Sequence, residues 1–520
     1  MDTMTRNKTA TRTEADRPED EYLGVGKSFG YGLQHVLTMY GGIIAPPLII
    51  GGVAGVSPQE QGLLIAACLF VGGIATILQS FGLRFFGSQL PLVQGTSFAS
   101  VATMTAIAQG DGGIQAVFGA VIVSAVLGFL ITPFFASIIR FFPPVVTGVV
   151  ITAIGLTLFP VAARWAMGDD AESPDYGSVA NIGLAGLTLL IILLLSKVRS
   201  AAISRLSILI GLVLGTVAAA LMGRADFSQV LEGDIFAFPE PLAFGPPVFN
   251  IAAILSMFIV VLVILTETTA DIIAVGEIVD TKVDKRRIAD GLRADMAASA
   301  VAPIFNGFTQ SAFAQNVGLV AITNIRSRFV VTAGGAILVI LGLLPILGRV
   351  VAAIPPPVLG GAGIVLFGSV AASGIRTLGK VDYKNGSNLI IVAASIGFGM
   401  LPIAVPEIYA NFPAWFETIF HSGISSAAVM AVLLNLLYNE FRVGNPPAGT
   451  SSVFANAPVR GVRYESVGHL QDHLKEGDTV RDGQLVDCDG NPVPVITDAG
   501  EIIDTRICAP PDEAQEKPAH

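Results

Sequence analysis

The chain has 520 residues, of which 52% are hydrophobic and only 13% charged, with a mean hydropathy of +0.69. Soluble domains sit nearer a quarter charged, so these long apolar blocks exclude a large soluble core and point to lipid as the solvent. The net charge of −10 lies largely in the tails (Glu14, Asp16, Glu19, Asp20 and Glu21, then beyond Glu465), and no basic stripe with interleaved aromatics suggests nucleic acid.

The first two dozen or so residues are polar and lack the apolar stretch of a cleavable signal peptide. Apolar segments then follow near Phe29–Gly51, Gln61–Gln79, Gln89–Ala108, Gly113–Phe135, Pro143–Ala163, Asn181–Leu195 and Ser207–Leu221. A second set lies near Phe249–Gly276, Ala294–Asn306, Ala312–Ile325, Val330–Val350, Val358–Ile375, Asn388–Ile403 and Gly423–Tyr438. The sequence therefore predicts an all-α polytopic membrane protein of about fourteen segments, several short of the roughly 17–25 residues of a full span. Arg84, Arg140, Lys197, Arg199, Lys282, Lys285, Arg286, Arg287, Arg326, Arg328, Arg376, Lys380 and Arg442 all fall in loops after even-numbered segments. Acids crowd two odd loops instead, as Asp169, Asp170, Glu172 and Asp175, and as Asp226, Glu232, Asp234 and Glu240. The positive-inside rule then puts the even loops and both termini in the cytoplasm, and the cytoplasmic (inner) membrane is the expected location.

An internal repeat crosses this pattern. Pro143-Pro144-Val145-Val146-Thr147-Gly148, with Ile151 and Gly155, recurs as Pro356-Pro357-Val358-Leu359-Gly360-Gly361, with Ile364 and Gly368. Seven segments per half is odd, so the halves run through the membrane in opposite directions, with a site expected between them. The division read is a cytoplasmic tail over 1–24, a transmembrane domain over 25–442 and a cytoplasmic tail over 443–520. That last tail carries turn signals at Asp489–Pro492 and Asp498–Gly500, and a β-prone run at Pro494-Val495-Ile496. Cys68, Cys488 and Cys508 are isolated, with neither disulfide nor metal-ligand spacing, so neither a metal nor a cofactor is expected.

Chemistry concentrates in three segments. The eighth carries Thr266-Glu267-Thr268-Thr269-Ala270-Asp271, whose two acids are four apart and share a helix face. Ionisable groups at membrane depth are costly and usually functional, and such a pair can carry a proton. A structural pair satisfied by hydroxyls and backbone amides is the competing reading. The tenth segment, Asn306 to Gly318, is too polar and glycine-rich for a lipid-facing helix, and Gln94-Gly95-Thr96-Ser97-Phe98-Ala99-Ser100 in the third matches it. Irregular backbone at this depth must line a cavity or be buried, so both segments are expected to be short broken or extended pieces aiming helix N-termini at one centre. An amide from Gln315, carboxylates, and the rings of Phe98 and Phe313 together suit a planar heterocycle.

The string Gln315-Asn316-Val317-Gly318-Leu319-Val320-Ala321-Ile322-Thr323 resembles the signature of the nucleobase/ascorbate transporter family. Glu267 with Asp271, Gln34-His35, Gly95-Thr96-Ser97-Phe98 and Asp295 fit it too, and the likeness runs from about Gly24 to Arg442. Asn324 departs from it, since relatives commonly carry Arg, Lys or Gly there. The resemblance implies two inverted seven-segment repeats split into a core (segments one to four and eight to eleven) and a gate (five to seven and twelve to fourteen). It also implies a homodimer and proton symport, with sodium left open as the coupling ion. By carry-over Glu267 and Gln315 bind the base, Phe98 stacks on it beside Ser97, and the backbone near Phe313 and Ala314 touches it. Asp271, Asp295, His35 and Asn316 would support the site or the coupling. Gln315 and Asp271 in place of Glu and His point to the xanthine and urate branch, with uracil or another base as the alternative. Rival readings are an anion transporter of the same architecture, an intramembrane aspartyl hydrolase, which needs a second Asp motif, and a channel, which needs a continuous polar lining.

Overall fold

Helix starts along the chain are set by prolines and short polar caps. In the computed structural model, residues 17–135 and 143–440 are described, apart from 232, 384–385, 414–415 and 418–419, together with five short strands between 462 and 504. The tail to residue 16, Arg140, Arg442, Cys488, Cys508 and the turn signals near 489–492 and 498–500 lie outside the described residues. Contacts divide the chain into two units, Met1–Pro446 and Pro447–His520.

In the first unit α1 (Val25–Ala54) leads to α2 (Pro58–Phe81), which Ser57 and Glu60 open with a reciprocal capping box. Pro46 and Pro47 sit inside α1, where the Pro47 carbonyl accepts a hydrogen bond from Gln61 Nε2 at 2.7 Å. Next come β1 (Gln94–Thr96), α3 (Phe98–Ala108), α4 (Gly113–Ile131), α5 (Pro144–Thr157), α6 (Phe159–Met167), α7 (Val179–Ser196) and α8 (Ser207–Leu221). The second half runs α9 (Ile251–Val279), α10 (Lys285–Val301), β2 (Gln310–Ala312), α11 (Ala314–Thr323), α12 (Arg328–Gly342) and α13 (Pro345–Ala352). It closes with α14 (Pro356–Leu378), α15 (Gly386–Ala404) and α16 (Gly423–Asn435). Among the described residues eight helices are long and apolar enough to cross a bilayer, or nine with the bent α12–α13 pair taken as one. The other expected segments are the shorter helices α3, α8, α11 and α16 and the charged α10.

One expected boundary moves and two expected segments are interrupted. The ninth segment, read as Ala294–Asn306, is a helix from Lys285 to Val301, because Asp284 caps it through the Arg287 N–H (2.7 Å) and Pro303 ends it. Its charges are tolerated because Asp290 pairs with Arg293. The eleventh segment bends by 78° ahead of Pro345, and the fifth breaks at Leu158 ahead of Pro160.

Small residues bring the helices close. A Cβ on Gly73 of α2 would fall 2.6 Å from the Gly335 carbonyl of α12, and one on Gly155 of α5 only 2.3 Å from the Ala371 nitrogen of α14. At one end of the bundle the segment Arg17–Tyr22 straps over three connections. Glu19 is fully buried, 2.5 Å from Arg287 and within reach of Arg17 and Thr281. Asp20 pairs with Arg328 at 2.5 Å, and the Glu21 carbonyl accepts from Ser327. In the second unit Val462–Arg463 pairs with Val495–Ile496, which also pairs with Ile502–Asp504, and Thr479–Arg481 pairs with Gln484–Val486.

Candidate substrate site

The two polar, broken segments meet. β1 and β2 form a three-residue antiparallel ladder, Gln94 opposite Ala312, Gly95 opposite Ser311 and Thr96 opposite Gln310. Ser97 is the N-cap of α3 and Phe313 the N-cap of α11, so two helix N-termini start from this ladder and run away from it. Each end carries partial positive charge and unpaired N–H groups toward the centre. Backbone demand is met locally: Ser97 N donates to Thr309 O, Phe313 N to Val93 O, and Gln310 N to Ser299 Oγ.

Beside the ladder lies a cavity of about 180 Å³ lined by Phe98, Glu267, Ser311 to Gln315, Gly318, two residues of α5 and four of α14. That is small beside the roughly 300–1,000 Å³ that hold drug-sized ligands, and it suits a compact molecule. Glu267 projects from α9 half-buried, and Gln315, in the first turn of α11, is exposed. Neither side chain hydrogen-bonds to another described residue, so a carboxylate acceptor and a primary amide both stand free for a ligand. Phe98 and Phe313 are 7% and 4% exposed, with ring centroids 6.5 Å apart and tilted by 35°. They offer edges and part of a face rather than a parallel clamp. Phe98 also packs edge-on against Phe367 of α14.

The remaining expected residues stand behind this wall. Asp271 is one turn beyond Glu267 on α9, 8% exposed, outside the cavity lining, with Oδ2 unpaired among the described residues. Asp295 is fully buried and accepts from Thr268 Oγ1 at 2.6 Å, while that same oxygen accepts the Ala312 N–H at 3.4 Å, so this acid braces β2. His35 Nδ1 donates to Asn316 Oδ1 at 2.7 Å, and Asn316 Nδ2 donates to the Pro91 carbonyl at 2.6 Å. The pair ties α1 to α11 and to the approach to β1. Ser97, read as a ligand contact, has a buried hydroxyl that does not line the cavity. Asn324 ends α11 at φ 52°, a left-handed position where Asn and Gly are the favoured residues.

Sequence reasoning missed the wall from α14. Ser369, Ser373 and Arg376 line the cavity at i, i+4 and i+7, one stripe of a helix. Hydropathy assigns Arg376 to a loop, but α14 runs on to Leu378 and places this exposed residue in the cavity lining. The signal was available as a polar stripe at helical spacing in an otherwise apolar segment. Across the same region, Thr103 of α3 meets Ser422 at 2.9 Å, at the start of α16.

Comparison with known proteins gives a consistent picture. The Permease family model named Xan_ur_permease matches residues 26–408. The uric acid transporter UacT of Escherichia coli (strain K12) is 39% identical over 433 residues, 82% of this chain and 90% of that protein. The xanthine permease of Bacillus subtilis (strain 168) is 40% identical over 418 residues, covering 80% and 95%, and uric acid permease PucJ of the same organism is 39% identical over 417. Among solved structures, the transmembrane domain of the cyanobacterial bicarbonate transporter BicA aligns with a TM-score of 0.51 at 16% identity, covering 80% of this chain and 98% of that one. Murine Slc26a9, an anion transporter in the inward-facing state, aligns at 0.58 and 12% identity, covering 81% and 69%. At these identities the structural likeness establishes a shared transporter fold.

Proposed function

We propose, starting from the fact that the chain belongs to the nucleobase/ascorbate transporter family of permeases, that it takes up an oxopurine, xanthine or urate, by proton symport. The chain is a membrane transporter and not an enzyme. One observation carries the substrate reading: Glu267 and Gln315 stand unpaired among the described residues in the same cavity, beside Phe98 and Phe313. A Gln amide pairs with an adjacent ring N–H and C=O, while a carboxylate accepts from a second ring N–H. Arg376 adds a cation suited to the anionic form of such a base. Asp271, one turn from Glu267 and away from the ligand wall, is the proposed proton carrier.

In this reading the core and gate move against each other, exposing the cavity to one side of the membrane at a time. The working unit is a homodimer in the cytoplasmic membrane, with both termini inside. The same cation favours one competing substrate class, since Arg376 and two helix N-termini would also attract a small inorganic anion. Uptake of radiolabelled xanthine, urate, uracil, adenine, sulfate and bicarbonate by cells lacking their own permeases separates the readings. Uptake confined to the oxopurines and abolished by dissipating the proton gradient is expected. Uptake of sulfate or bicarbonate alone would overturn the proposal.

A further inference from the structure

Away from the base site, two covalent links between the proposed bodies converge on one cavity. The first follows α8. Arg224 Nη1 donates to Asn181 Oδ1 at 2.7 Å, and Asn181 Nδ2 donates to the Met167 and Asp175 carbonyls, fastening the chain to α6 and α7 on the gate side. From Val230 onward the same strand of chain is fastened to the core side. Arg349 of α13 donates through Nε to Val230 O at 3.0 Å and through Nη2 to Asp234 O at 2.9 Å. Ala237 N then donates to Leu343 O, Leu242 N to Ile304 O, and Asn306 Nδ2 to Glu240 O. Only residues 225–229 lie between the two sets of anchors.

The second link is shorter. Ala353 and Ile354 still donate to carbonyls of α13, and Val358 already donates to Pro355 at the head of α14. Both links border a cavity of about 300 Å³ lined by Pro58, Arg224, Asp226, Val230, Arg349, Ala353 and their neighbours up to Pro356. None of its lining residues belongs to the base cavity.

Relative movement of two rigid bodies must be absorbed by the few backbone positions not anchored to either, and packed interiors around them do not stretch. We infer that this cavity is the seam of the transport motion, and that a bulky group lodged in it arrests transport while leaving base binding intact. The inference rests on the core-and-gate reading above, and base binding by the unlabelled protein, measured first, checks the substrate reading separately. Ala353 is half-buried, lines the cavity and belongs to the link itself, which makes it the attachment point.

The experiment uses the full chain with Cys488→Ser and Cys508→Ser, retaining the buried Cys68, and carries Ala353→Cys. Asp226→Cys, on the other link, serves as a second attachment point, and Asp111→Cys, exposed and outside this cavity, as the control. Each purified protein is reacted with a small and with a bulky maleimide after folding. Detergent binding of radiolabelled base and base exchange in proteoliposomes are then compared. With the bulky label at 353 or 226, exchange falls by about tenfold or more while the Kd for base moves less than about threefold, as expected for a blocked conformational step. The small label has a weaker effect, and labelled control protein exchanges normally. Full labelling at both positions with unchanged exchange would overturn the inference, as would parallel loss of binding and exchange.

Discussion

Replacing Glu267 by Gln removes one charge from the 180 Å³ cavity and almost nothing from its shape. Glu267 has no hydrogen-bond partner among the described residues, so no internal contact is lost and the effect should fall on the ligand. If the carboxylate accepts a ring N–H, a hydrogen bond to a charged group is lost, worth about 1.5–3 kcal/mol, or about 10- to 150-fold in Kd. The new amide also presents donors toward a ring N–H, which works against recovery of the contact. Asp271→Asn supplies the contrast, because Asp271 lies one helical turn, about 6 Å along the axis, from Glu267 and does not line the cavity. Its substitution should leave detergent binding within about threefold, an effect below 1 kcal/mol, yet abolish accumulation driven by an imposed proton gradient. Equilibrium exchange should survive, since exchange needs no net proton movement. The assay is binding, exchange and gradient-driven uptake on the same purified proteins. Two results would refute the reasoning: Glu267→Gln binding base as tightly as the parent, or Asp271→Asn still concentrating base against its gradient.

Gln315→Glu should keep expression but reorder the bases in a competition assay across xanthine, urate, uracil and adenine, with losses of about 1–3 kcal/mol for those that used the amide as donor. An unchanged ranking would remove Gln315 from recognition. Glu19→Gln should lower thermal stability by about 3 kcal/mol, the lower end for a broken buried pair, as judged from melting in detergent. Burial pushes the Glu19 carboxyl up, but its backbone hydrogen bond and the Arg287 and Arg17 guanidinium groups outweigh this and hold it below the usual carboxylate range. A lowered folded-state value means this stabilisation is present above about pH 4.3 and is lost as pH falls through the folded value. The parent should therefore lose its advantage over Glu19→Gln in that acid window, and a constant difference across it would contradict the pairing. In intact cells a membrane-impermeant thiol reagent should spare Cys488 and Cys508 and label them once the membrane is opened; labelling from outside would reverse the orientation.

Much of the architecture was legible because lipid imposes a simple rule on sequence. Long apolar blocks had to be helices, and α1, α2, α4, α7, α9, α14 and α15 lie where hydropathy put them. The polar interruptions at Gln94–Ser100 and Asn306–Gly318 were equally readable, because glycine and amide side chains at that depth have no place against lipid. Charge misled the reading twice. Lys285 to Arg293 looked like loop, yet Asp284 caps a helix there and Asp290 neutralises Arg293. Arg376 was likewise given to a loop because hydropathy alone ends the segment at Ile375, whereas hydrogen bonding carries the helix to Leu378. What sequence could not supply is direction. Ser97 and Gln315 each sit beside a helix start in a matching motif, but Ser97 is the N-cap residue and Gln315 lies inside the first turn, and only Gln315 lines the cavity.

The ladder between β1 and β2 also fixes a moment in the life of the chain. Gln94 finds Ala312 only after roughly 200 further residues have been made and inserted, so the pairing waits on the closure of a long loop. Until then the N-terminus of α3, with the buried side chains of Gln94 and Thr96, has no partner strand. The cavity wall from Phe98 likewise waits for the wall from Gln315. A ribosome stalled anywhere before β2 therefore holds a half-protein whose most polar membrane-depth backbone is open, the kind of species that quality-control proteases and insertion chaperones intercept. The ladder and the cavity beside it therefore close late in synthesis, and truncation products ending before residue 310 should be cleared from the membrane rather than accumulate there as inert halves.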